Sequence, residues 1–131
     1  DPVHPALAMF VDKEEIGCGD NLKISIHVTS NSTCGPFIFR LWFYNSAGHY
    51  AAEIIINSNN DLDTTICESV NWLIDVPELN LRQGRYYLSF HLIDSDGDMI
   101  VWSHKQLKLT VIGKNYGFVA DYQVKANFFR Q

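Results

Sequence analysis

The chain has 131 residues, 47% of them hydrophobic and 19% charged, with a formal net charge of -5. A single domain of this length buries about two-thirds of the surface its unfolded chain exposes, enough to hold its own core. The acidic balance excludes a binder of nucleic-acid backbones, which needs a basic stripe, and no apolar run reaches the roughly 20 residues that span a bilayer.

In chain order, the first residues Asp1 to Pro5 show neither a basic n-region nor an apolar h-region, and the chain opens without methionine. The reading is one domain over 1–131, cut from a longer protein with a partner domain before it. The first strand signal is Leu22, Ile24, Ile26 and Val28, alternating with Lys23, Ser25, His27 and Thr29. Period two puts four apolar residues on one face of a half-buried strand. Asn31-Ser32-Thr33 is a formal glycosylation sequon read here as a turn. Phe37, Phe39, Leu41 and Phe43 form the next inward set, followed by a turn at Asn45 to Gly48 and a returning segment from His49 to Ile56.

Val70, Trp72, Ile74 and Val76 make another inward set that Pro77 ends, and Leu79 and Leu81 cap the core from a loop closing at Gly84. Tyr86, Leu88, Phe90 and Leu92 follow at period two, with Tyr86 read as a tyrosine corner tied to the preceding loop. After the Asp96-Gly97 turn come Met99 to Trp102, then Leu107, Leu109 and Val111. A last strand is expected over about 118–129, set apart by Gly113 and Gly117. No segment shows helical periodicity, so the expected fold is all-β, an immunoglobulin-like antiparallel β-sandwich. The cysteine pair of antibody domains would fall near Ile26 and Phe90, so burial alone must hold the sheets together. Cys18, Cys34 and Cys67, odd in number and without CxxC spacing, suit thiols in a reducing compartment.

The run "VNWLIDVPELNLRQGRYYLSFHLIDSDGDMIVW" from Val70 to Trp102, with "FRLWFYNSAGHY" before it and "LKLTV" and "YGF" after it, resembles a known family. It is similar to the carbohydrate-binding domain at the C-terminus of the ATP-binding subunit of O-antigen polysaccharide ABC transporters (Wzt-type), over about residues 6 to 129. The resemblance implies a domain that binds the non-reducing end of a finished glycan before export. It also implies a homodimer whose last strand can be exchanged between subunits, an ATPase domain in the same chain with its membrane subunit, and a cytoplasmic place at the inner membrane. Ligand residues of this family follow the glycan and share no motif, so none is carried over.

Site residues come instead from strand phase. With Phe39, Leu41 and Phe43 inward, the pleat sends Arg40, Trp42 and Tyr44 to the opposite face. The outward sets on the following strands are Tyr87, Ser89, His91 and Ile93, then Gln106, Lys108 and Thr110 with His104 near the start. Neighbouring strands would gather these into one patch, with Trp42, Tyr44 and Tyr87 as stacking platforms, Arg40, His91 and Lys108 as polar clamps, and Ser89 and His104 beside them. Sugar C–H faces stack on aromatic rings, and sugar hydroxyls need fixed planar donors and acceptors. Trp102 and Tyr116 are open between patch and core.

The same face read without the resemblance also fits a protein interface, which gives the alternative of an extracellular immunoglobulin-like adhesion or assembly domain. Asp94-Ser95-Asp96-Gly97-Asp98 has the alternate carboxylates of a calcium loop, but lacks the later bidentate Glu and is read as a hairpin turn. No metal or other cofactor is expected. GxSxG, HExxH, Walker A and GxGxxG are all missing from the chain, and no pair of carboxylates faces across the expected patch, so the domain is read as a non-enzyme.

Overall fold

A computed structural model describes residues 6–30, 33, 35–57, 64–93, 96–97, 99–113 and 123–131, and the backbone alone at 55–57 and 99–106. Among the described residues nine strands form one continuous sheet: β1 (Ala6–Val11), β2 (Glu15–Gly17), β3 (Leu22–Thr29), β4 (Ile38–Asn45), β5 (Tyr50–Asn57), β6 (Ser69–Val76), β7 (Gly84–Ile93), β8 (Met99–Ile112) and β9 (Gln123–Arg130). Their spatial order is β1-β3-β6-β9-β5-β4-β7-β8-β2. The sheet curls into two layers, β1-β3-β6 facing β5-β4-β7-β8-β2, and β1 meets β8 where the two ends approach.

Alternation decides which side of each strand enters the core. Leu22, Ile24, Ile26 and Val28 on β3 and Trp72, Ile74 and Val76 on β6 are wholly buried. They face Leu41, Phe43, Leu88, Phe90 and Leu92 from β4 and β7 across the core. Phe39 stacks on Phe128 at 4.4 Å between ring centroids and lies 5.6 Å from Trp72, joining β4 to β9 and β6. Ile26 and Phe90, where antibody domains carry their cysteine pair, are packed hydrophobes with no exposure.

β9 is the seam between the layers. From Gln123 to Asn127 it runs parallel to β5, and from Asn127 to Arg130 antiparallel to β6. Val124, Ala126 and Phe128 point inward from this strand, so each half of β9 closes one layer over a shared core. The expected last strand therefore exists, starting at Gln123 and inserted within the same chain, while 118–122 lie outside the described residues. β1 and β2 are additions that alternation did not signal, and β8 is one long strand.

The corner expected at Tyr86 is present. Its hydroxyl donates to the Arg82 carbonyl at 2.6 Å, pinning the loop that precedes β7. Burial pushes the phenol above its ordinary range, with Arg82 opposing the rise and Cys18 adding to it. The folded-state value lies above the unfolded one. This stabilisation is therefore full below the unfolded phenol range and is lost as pH rises through the folded value. Tyr86→Phe is expected to cost about 1 kcal/mol, measured by urea unfolding at neutral pH, because one loop hydrogen bond is removed while the ring stays packed. An unchanged midpoint would mean that the corner does not anchor the loop.

Candidate functional site

β4 and β7 pair in the register that strand phase required: Arg40 with His91, Trp42 with Ser89 and Tyr44 with Tyr87. Tyr87 pairs in turn with Lys108 on β8. The outward face of β5-β4-β7-β8 thus brings together seven of the eight candidates, and His104 lies on β8 with its side chain outside the described residues. Arg40 and Lys108 are exposed, and Trp42, Tyr44 and Tyr87 are half-buried.

Exposure of Ser89 and His91 needs correction. Both point to this face, yet Ser89 is 0% and His91 4% exposed. The Trp42 ring lies over His91 with centroids 4.4 Å apart in an edge-on arrangement. Opposite Ser89, β8 departs from regular pairing: Leu88 pairs with Leu107 and Phe90 with Ser103, leaving His104, Lys105 and Gln106 against one residue. His91 is therefore the floor on which Trp42 rests, with Ser89 buried at the register position opposite Trp42, and direct contact with a ligand falls to the exposed rings and charges.

An open groove of about 220 Å³ sits on this face, lined by Arg40, Trp42, Tyr44, Tyr50 and Glu53. Tyr50 and Glu53 escaped the reading of the sequence. Residues three apart on a regular strand point to opposite faces. Here Tyr44 pairs with Tyr50 while Phe43 pairs with Ala52, so Ala51 is an extra residue that turns Tyr50 to the side of Glu53. The adjacent alanines at 51 and 52, which break the alternation of bulky and polar residues, were the available signal.

The bulge sets three rings at steep angles to one another. Tyr50 lies 6.2 Å from Trp42 at 75° and 6.2 Å from Tyr44 at 80°. The Tyr50 hydroxyl donates to Glu53 at 3.3 Å, which holds the carboxylate beside the rings. Such a groove offers flat apolar faces, acceptors from Glu53 and a planar set of donors from Arg40, the combination that fits a polyhydroxylated ring. Among the groove's lining residues Glu53 is the one carboxylate, so the facing pair that glycoside hydrolysis uses is not assembled there.

Other candidates lie apart from this groove. Among the described residues no group of His, Cys, Asp and Glu is arranged to hold a metal. Asp94, Ser95 and Asp98 of the turn read as a hairpin, the sequon residues Asn31 and Ser32, Cys34, Tyr116 and the side chain of Trp102 fall outside the described residues. Cys18 and Cys67 are free thiols. Burial, then Asp20 and Glu78, raises the Cys18 thiol, which keeps it protonated and poorly nucleophilic at neutral pH. Among the described residues no helix is long and apolar enough to cross a membrane.

The comparisons come from three directions. Among solved structures, the chain is similar to CopC from Methylosinus trichosporium OB3b, with 17% identity and TM-score 0.42 over 79% of this chain and 93% of that one. It is also similar to the CARDB domain of a Pyrococcus furiosus protein solved with di-metal ions, with 12% identity and TM-score 0.45 over 85% and 96%. Comparison with curated proteins finds no match. The model of the Wzt C-terminal domain matches residues 10–120. That family is one of non-catalytic binding domains, with a carbohydrate-binding role in polysaccharide ABC transporters. With an all-β sandwich and a match over most of its length, the chain belongs to the family of Wzt C-terminal domains.

Proposed function

We propose that the β5-β4-β7-β8 face binds the non-reducing terminus of an O-antigen-type polysaccharide so that an ABC transporter can export it. The observation that carries this reading is the groove itself, three mutually inclined rings flanked by Arg40 and Glu53. Trp42, Tyr44 and Tyr50 stack on the sugar, Arg40 and Glu53 address its hydroxyls, and Tyr87 and Lys108 extend the face along the next row. His91 holds Trp42 from below, Ser89 is buried beside it, and His104 is a further candidate contact on β8. The domain works without catalysis, tethered to the transporter ATPase in the same chain and acting as a homodimer at the cytoplasmic side of the inner membrane.

Titration with the producing strain's own surface polysaccharide, followed by tryptophan fluorescence and calorimetry, tests the assignment. Trp42→Ala and Arg40→Ala are each expected to lose about 1–3 kcal/mol of binding, with circular dichroism checking that both variants stay folded at the titration temperature. Wild-type affinity in both variants would remove the groove as the site. A folded wild type that ignores every polysaccharide fragment would favour a protein partner on this face.

A further inference from the structure

We infer that the glycan site continues past Glu53 into a second subsite on β9, so that the domain grips an internal sugar as well as the chain end. This rests on the reading of the face given above. A second cleft of about 370 Å³ is lined by Pro77, Glu78, Asn80, Gln123 and Lys125. Its origin is the crossing of β9 between layers. β9 pairs with β6 from Asn127 onward but with β5 before it, while Pro77 ends β6 just beyond Val76. The first residues of β9 and the segment after β6 therefore diverge, and the wedge between them stays open.

The two clefts are next-door neighbours. Glu53, a wall of the aromatic groove, is the direct register partner of Gln123, a wall of the second cleft. Paired residues stand about 4.8 Å apart and point to the same side. Ala52, Ile54, Val124 and Ala126 are all buried, which fixes Glu53, Gln123 and Lys125 together on the outer face. One ligand chain leaving the rings of Trp42 and Tyr50 over Glu53 thus passes directly onto Gln123.

The chemistry of the second cleft differs from the first. Its described lining residues include no aromatic ring; Gln123 and Asn80 offer planar amides that both donate and accept, and Lys125 and Glu78 add one charge of each sign. Amides and paired charges read the hydroxyl edge of a sugar, where rings read its flat side. The division predicts stacking at the terminal unit and edge recognition of a neutral, hydroxyl-rich unit further along the same polymer.

The test uses size-fractionated fragments of the producing strain's surface polysaccharide, from a single terminal sugar upward, titrated into the wild type, a Lys125→Ala/Gln123→Ala variant and Trp42→Ala. Both β9 positions are exposed, so the double variant should melt like the wild type. Affinity of the wild type should rise with fragment length and then level off. The double variant should lose about tenfold for long fragments and nothing for the terminal sugar. Equal binding of all lengths by the wild type, or unchanged long-fragment binding by the double variant while Trp42→Ala weakens every fragment, overturns the second subsite and leaves the first standing. Indifference of all fragments to Trp42→Ala, or no binding at all, overturns both.

Discussion

Removing Gln123 to Gln131 is expected to abolish the cooperative thermal transition. A strand at a sheet edge has one neighbour, so its loss costs one ladder. β9 instead stands between β5 and β6 and contributes Val124, Ala126 and Phe128 to the common core. Its loss would part the two layers, open both the β5 and β6 ladders and uncover Trp72 and Phe39, which pack on Phe128. Exposed ladders and aromatic surface together favour aggregation. Circular dichroism on heating and size-exclusion chromatography report the outcome. A shortened chain that stays monodisperse and melts near the full-length protein would show that β9 does not join the layers.

Trp72→Ala carries the next largest effect. The indole is wholly buried and lies 5.6 Å from both Phe39 and Phe128, so its removal leaves a cavity touched by β4, β6 and β9. Large-to-small changes of this kind cost about 3–5 kcal/mol. Against a typical domain stability of roughly 5–15 kcal/mol, that removes a large share of the margin. The melting point should fall by roughly 10–20 °C. Trp72→Phe should cost clearly less than its volume loss suggests. Among the described residues Trp72 Nε1 has no hydrogen-bond partner, and phenylalanine removes that buried donor along with part of the ring. Calorimetry on both variants tests the order; a loss below about 1 kcal/mol for the alanine variant would place the indole outside the core.

How much of this was legible depends on contrast along each strand. β3, β6 and β7 alternate large apolar residues with others, and every residue assigned inward on them is buried. β1 reads Ala-Leu-Ala-Met-Phe-Val, apolar at every position, so period two has nothing to work against and the strand was missed. β2, three residues long, owes its existence to pairing with β8 rather than to any local pattern. On β4 the phase placed Arg40, Trp42 and Tyr44 together on the outer face, as observed.

Phase tells which face a side chain joins and nothing of what then covers it. That is why Ser89 and His91 were expected at the surface although both are buried, His91 against the Trp42 ring. Tyr50 and Glu53 were lost for the converse reason: one extra residue, Ala51, reverses the parity of β5, and no local propensity marks it strongly. The second cleft depends on β9 changing partners, a long-range event with no counterpart in nearby sequence.

The pleat of β4 has a consequence for how such a domain diversifies. Odd positions Phe39, Leu41 and Phe43 answer to the interior, and even positions Arg40, Trp42 and Tyr44 answer to whatever lies outside. Substitutions at one parity can therefore alter the outer surface while the other keeps the chain folded, since surface substitutions usually shift stability by under about 0.5 kcal/mol. A single strand so carries two separable constraints, one set by the interior it packs and the other by the surface it presents.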